Sequence, residues 1–137
     1  MYPGAHAVRN ADRPAVIMAS TGESISYREY EARANRLAHL LRAEGIRHGD
    51  HIAIFMENND RYLEACAAGE RAGTYYTCVN SFLTPEEVAY IVDNCEAKVL
   101  ITSRTKRDVA LAAAADCPRV TRILVVDEPG GADDLRV

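Results

Sequence analysis

With 137 residues, 48% hydrophobic and 26% charged, the chain holds enough apolar material for one domain with a real core. Its formal net charge of −4 offers no basic footprint for nucleic acid or an anionic membrane. No apolar run approaches the ~20 residues of a membrane span. The opening MYPGAHAVRN also lacks the apolar stretch of a signal peptide, which points to a cytoplasmic chain.

Residues 1–12 carry Pro3, Gly4 and Asn10 and read as an N-terminal arm or loop. The apolar run 14–18, a turn at Thr21-Gly22-Glu23 and a return at 24–26 predict a small antiparallel hairpin. Ser26 then caps a helix, with Glu29 placed to close a capping box. Tyr30, Ala34, Leu37, Ala38 and Leu41 form its apolar stripe. Gly45 ends it in the left-handed conformation, and Ile46 packs back. HIAIFM at 51–56 is a strand. Asn58 and Asn59 are cap candidates for the next helix, which turns Tyr62, Leu63, Cys66 and Ala67 inward and stops at Gly73.

The stretch 74–103, TYYTCVNSFLTPEEVAYIVDNCEAKVLITS, contains a strand, a helix and a second strand. Thr84, Pro85 and Glu87 form a full capping box with proline at the first helical position. Such a unit implies a right-handed crossover and a parallel strand pair. Ser103 or Thr105 opens an alanine-rich helix running to about Cys117, Pro118 stops it, and RILVV at 122–126 is the last strand. The later strands are continuous apolar runs separated by helices. This predicts an α/β fold: a mostly parallel sheet flanked by helices on both faces, preceded by the small antiparallel hairpin. The α/β unit spans 13–128, and 129–137 is an acidic, turn-like tail.

Cys66, Cys78, Cys95 and Cys117 include no C-x-x-C pair and have no histidine at zinc-ligand spacing, so they read as reduced thiols. His6, His39, His48 and His51 are scattered, without a carboxylate or serine at catalytic spacing. Asp127, Glu128, Asp133 and Asp134 lack the alternation of a calcium loop and read as a solvated loop rather than a metal site. They flank Gly130-Gly131, where four carboxylates would repel a triphosphate. A G-x-G-x-x-G fingerprint follows none of the strands, and no aspartate follows the strand at 98–102, so neither a dinucleotide fold nor a phosphoreceiver is indicated.

The pattern AG-x-YYT-x-x-N-x-x-LT-x-E-E-x-x-Y-I, followed by A-K-V-L, resembles the N-terminal part of the AMP-forming acyl-CoA synthetases. SYREYEARANRLAHLLRAEGIRHGDHIAIFMEN at 26–58 extends the resemblance, which runs from about residue 14 to 127. These enzymes belong to the adenylate-forming superfamily, with luciferases and peptide-synthetase adenylation domains. The resemblance implies a parent that uses ATP, Mg²⁺ and CoA to convert a carboxylic acid to its thioester, with a fatty or aryl acid favoured over an amino acid. It assigns no catalytic, cofactor-binding or metal residue to this chain, because the family's phosphate loop, adenine motif and C-terminal lysine match nothing in it. The expected partner is the remainder of the synthetase. The 137 residues alone are expected to be inactive and to bind no cofactor.

Two residues stand out as substrate-proximal candidates, Asn80 and Tyr76. Asn80 ends a parallel strand at its carboxyl end, where open α/β sheets bind ligands, or it terminates the strand by bonding its own backbone. Tyr75 and Tyr76 point to opposite faces, and the choice there is between core packing and lining an acyl tunnel. The alternative to a ligase fragment is a non-catalytic α/β module, which would form a homodimer or aggregate through an uncovered apolar face.

Overall fold

The computed structural model describes residues 3–126. A helix α1 (Pro3–Arg9) precedes a hairpin of β1 (Pro14–Ile17) and β2 (Ser24–Ser26). Then follow α2 (Tyr27–Ala43), β3 (His51–Phe55), α3 (Tyr62–Ala72), β4 (Tyr75–Val79), α4 (Pro85–Asn94), β5 (Val99–Ser103), α5 (Arg107–Ala114) and β6 (Arg122–Val126). The hairpin is antiparallel, and the last four strands form one parallel sheet in the order β4-β3-β5-β6. The fold class is the one the apolar strand runs imply.

Strand alternation divides the core into two layers. Ile52, Ile54, Val99, Ile101 and Leu124 face α2 and α3, meeting Leu37, Ala38, Leu41, Ala65, Ala68 and Ala72. Ala53, Phe55 and Leu100 face the other way, onto Val88 and Val92 of α4 and Ala110 and Ala113 of α5. The chain leaves β3 through α3 towards β4, then returns through α4 past β3 to β5. Right-handed crossovers in opposite directions put α3 and α4 on opposite faces.

Local signals fix the helix starts. Thr84 Oγ1 accepts the Glu87 N–H at 3.4 Å, and the Thr84 N–H donates to Glu87 Oε2 at 2.9 Å, completing the box. At Ser26 only half the box forms. Its Oγ accepts the Glu29 N–H at 3.2 Å, but the Glu29 carboxylate takes the Arg33 guanidinium instead.

Four expectations are corrected. Within the N-terminal arm, residues 3–9 are helical rather than loop, and His6 stacks on Tyr27 with ring centroids 5.0 Å apart. The first residue before α3 is Arg61, not an asparagine; Asn59 Oδ1 accepts the Arg61 N–H at 2.9 Å, a turn ahead of the helix. Leu63 points outward, 50% exposed, while Ala65, Ala68, Gly69 and Ala72 are buried. The reason is helical phase: Ala65, Ala68 and Ala72 share the buried face and Leu63 falls on the opposite side. At Gly69 the approach is close, since a Cβ there would lie 3.2 Å from Ile52 Cδ1 and 3.3 Å from Tyr76 Cδ1. Lastly, α5 ends at Ala114, short of Cys117. The acidic cluster 127–134 and the boundary at 128 lie outside the described residues.

Two substitutions test these constraints. Thr84→Ala should cost about 1 kcal/mol in urea unfolding. Gly73 and Gly22 both have positive φ, 73° and 75°, but a Cβ on Gly73 would sit 2.7 Å from His48 Cδ2 whereas Gly22 has nothing within 4 Å. Gly73→Ala should therefore lower the urea midpoint more than Gly22→Ala, which pays only the backbone strain of ~1 kcal/mol.

Candidate functional site

In an open parallel sheet, ligands sit beyond the carboxyl ends of the strands, where neighbouring strands send their connections in opposite directions. Here β3 leads to β4 on one side and β5 leads to β6 on the other. The crevice therefore opens between the ends of β3 and β5, at Glu57 and Ser103.

Those two residues meet. The Ser103 hydroxyl, fully buried, donates to Glu57 Oε2 at 2.5 Å. Ser103 Oγ in turn accepts the Lys106 N–H at 3.3 Å, capping the tight turn Arg104–Lys106. Burial pushes the Glu57 carboxyl up, but the Ser103 hydroxyl, its own backbone N–H, the Asn59 side chain and the charge of Lys106 together hold it below the usual carboxylate range. The Lys106 ammonium stands 5.6 Å from the centroid of the Phe82 ring, and Phe82 is 90% exposed. The result is one carboxylate, one ammonium and one bare aromatic ring along the carboxyl edge of three strands.

Asn80 belongs to this edge, at the end of β4. Its Oδ1 accepts the Phe82 N–H at 3.0 Å and its carbonyl accepts the Leu83 N–H at 3.3 Å, so it shapes the turn that presents Phe82. Tyr76 lies elsewhere, earlier on β4 and against α3, with its hydroxyl donating to Glu70 Oε1 at 3.3 Å. The structure does not bring Asn80 and Tyr76 together. Nor is either tyrosine a core residue: Tyr75 is 67% and Tyr76 36% exposed, because among the described residues β4 is the edge strand. Tyr75 packs on the His51 ring instead, at 5.1 Å between centroids.

Sequence reading did not single out Glu57 and Ser103 as a site. They stand 46 residues apart, and only the strand order makes them neighbours. The usable signal was a polar residue directly after each of two buried apolar runs.

At the opposite end of the sheet, a cavity of about 500 Å³ is lined by Arg42, Arg47, His48 and Arg71. Arg71 pairs with Glu31 of α2, and the other two arginines serve the helix ends. Arg47 donates to the carbonyls of Arg42 and Ile46 at 3.0 and 3.1 Å, and Arg42 to the carbonyl of Arg71 at 3.4 Å. Among the described residues, no group of three or more His, Cys, Asp or Glu side chains is placed to hold a metal ion, and no helix is long and apolar enough to cross a membrane.

A family model described as AMP-binding enzyme matches residues 4–136. The chain belongs to the AMP-binding enzyme family. Among its relatives, a 3-oxocholest-4-en-26-oate–CoA ligase of Rhodococcus rhodochrous is 33% identical over 118 residues, covering 86% of this chain and 21% of the relative. An acetyl-coenzyme A synthetase of Halorhodospira halophila is 32% identical over 118 residues, covering 80% and 18%. The structure of a Mycobacterium tuberculosis fatty acyl CoA synthetase superposes with a TM-score of 0.84 at 25% identity, covering 97% of this chain and 28% of that one. The chain thus spans about a fifth of the length of these curated AMP-binding relatives.

Ser103→Ala tests the electrostatics of the site. A carboxyl held low in the folded state stabilises the fold above its unfolded pKa and loses that contribution as pH falls through its folded value. Without Ser103, one of the groups that hold the carboxyl low is gone and Glu57 should titrate at higher pH than in the wild type, which carboxyl NMR reads directly. The variant should be about 2 kcal/mol less stable than wild type at about pH 7. The gap should narrow, without closing, at about pH 3, since the lost cap of the Arg104–Lys106 turn counts at every pH.

Proposed function

We propose that this chain is the N-terminal portion of an ATP-dependent acid–CoA ligase. The parent would join a carboxylic acid to the α-phosphate of ATP, releasing pyrophosphate, and then pass the acyl group to the CoA thiol, releasing AMP. The observation that carries this reading is the match to CoA ligases over 80% or more of the chain, on a sheet whose carboxyl edge is the ligand-binding side of such folds. Those two relatives act on a sterol side-chain acid and on acetate, so the acid is proposed only as a class.

The described residues do not fit ATP by themselves. A triphosphate needs a cradle of backbone N–H groups and cations. Among the described residues, the carboxyl edge sets the Lys106 ammonium beside an ionised Glu57, with no cradle of backbone N–H groups around them. No step of adenylation is therefore assigned to this chain, and its role is to supply one wall of the parent's ligand crevice. Asn80 is kept as a substrate-proximal candidate through its hold on the Phe82 turn; Tyr76, tied to Glu70 away from that edge, is the weaker of the two. The cytoplasm is the proposed compartment.

The 137-residue chain incubated with ATP, Mg²⁺, CoA and a panel of acetate, fatty and sterol acids should release no AMP. Joined to its downstream coding sequence, it should release AMP dependent on both acid and CoA. Turnover by the short chain, or an inert long chain, would overturn the proposal.

A second reading is self-association, favoured by the open side of β4. Within the described residues β4 pairs only with β3, and Tyr75, Tyr76 and Cys78 are exposed along it. An uncovered strand edge is a template for another strand. Sedimentation velocity should show a dimer that grows with concentration and weakens in Tyr75→Lys. A clean monomer at all concentrations would reject it.

A further inference from the structure

On the α3 side of β4, Cys66 and Cys78 bring their sulfurs to 4.0 Å, one half-buried on the helix and one exposed on the edge strand. The other two cysteines have no such sulfur neighbour: Cys117 is buried with its thiol donating to the Ala89 and Ala113 carbonyls, and Cys95, half-buried, donates to the Val92 carbonyl. We propose that Cys66 and Cys78 form a reversible dithiol–disulfide pair, a redox modification site that staples α3 to the edge of the sheet.

The geometry carries this. A disulfide needs the sulfurs at about 2 Å, so each must give roughly 1 Å. Cysteine is unbranched and turns about a single torsion, and among the described residues β4 has no strand on its outer side to resist a small shift. The two ends of the staple are 12 residues apart in sequence. Exposure assigns the roles, because Cys78 meets an oxidant first and Cys66 lies behind it.

With hydrogen peroxide as oxidant, the Cys78 sulfur attacks one peroxide oxygen and the O–O bond breaks, giving a sulfenic acid and water. The Cys66 sulfur then attacks the Cys78 sulfur. The S–O bond breaks, and the hydroxide leaves as water with the Cys66 proton. Two thiols lose two electrons, and the peroxide becomes two waters. Burial, then the charge of Cys78, push the Cys66 thiol up to about 12, so Cys66 is the poorer first nucleophile. Once Cys78 is a neutral sulfenic acid that repulsion is gone, and Cys66 becomes easier to deprotonate when its turn comes.

The test treats the folded chain with hydrogen peroxide and maps its peptides by mass spectrometry. The expected product is a Cys66–Cys78 cross-linked peptide, two hydrogens lighter. Two of the four thiols should be lost, reversibly with dithiothreitol and independently of protein concentration. The oxidised chain should unfold at higher temperature than the reduced one. Cys66→Ser should abolish the cross-link and leave Cys78 as sulfenic or sulfinic acid. Phenylarsine oxide, which bridges two nearby thiols without any oxidant, should bind the wild type one to one. It should lose that binding in both Cys66→Ser and Cys78→Ser. Oxidation of Cys78 without the cross-link, bonds between Cys78 residues of two copies, no reaction at Cys78, or arsenical binding that survives Cys66→Ser would each overturn the assignment.

Discussion

The burial of β3 is the constraint on which the structure rests. Residues 52–55 are fully excluded from solvent, and the strand is hydrogen-bonded to β4 along one edge and to β5 along the other. Every later element is placed relative to it: α3 returns the chain on one face, and α4 on the other. Both faces of β3 must therefore be apolar, and both faces must be covered by helices. The reversal of direction on either side of β3 also opens the crevice at its carboxyl end. Fold and site thus follow from one strand having no free surface.

The polar groups at that crevice are held by the same frame. Ser103 is the last residue of β5 and Glu57 stands two residues beyond β3, so the register of two strands brings a hydroxyl to a carboxylate. An ionised carboxylate that is part-buried needs such partners, and it finds a hydroxyl, an amide and an ammonium. The amino end is treated differently. There His51 Nδ1 and the Cys95 carbonyl lie 2.6 Å apart, Lys98 pairs with Asp50, and arginines close the helix ends. The amino end of the sheet is tied off, and the carboxyl end sets the part-buried Glu57 and Lys106 beside the exposed Phe82 ring.

What was legible in the sequence was mostly local. The Thr84–Glu87 box forms as written because its partners are three residues apart and compete with little else. The box at Ser26 formed only in part, because Arg33 lies one turn further along the same face and takes the Glu29 carboxylate. The inward face of α3 was misread at Leu63 because the buried residues Ala65, Ala68 and Ala72 are small, so bulk pointed to the leucine while helical phase points to the alanines. Tyr75 and Tyr76 had the residue types of a core strand, and no local signal says that β4 ends the sheet. The meeting of Glu57 with Ser103, and of Cys66 with Cys78, likewise depends on strand order and helix packing. The family, by contrast, was legible because its pattern is spread along the whole chain, and the matched region 4–136 agrees with it.

The incomplete box at Ser26 has a mechanical consequence. Arg33, having taken Glu29, also reaches Asp60 at 3.2 Å, in the loop that leads from Glu57 into α3. One guanidinium therefore braces the start of α2 against the loop bordering the crevice, without passing through the apolar layers. Added electrolyte would loosen this brace by screening while leaving the interior intact. The crevice wall thus has two supports of different character, one that responds to the ionic medium and one that does not.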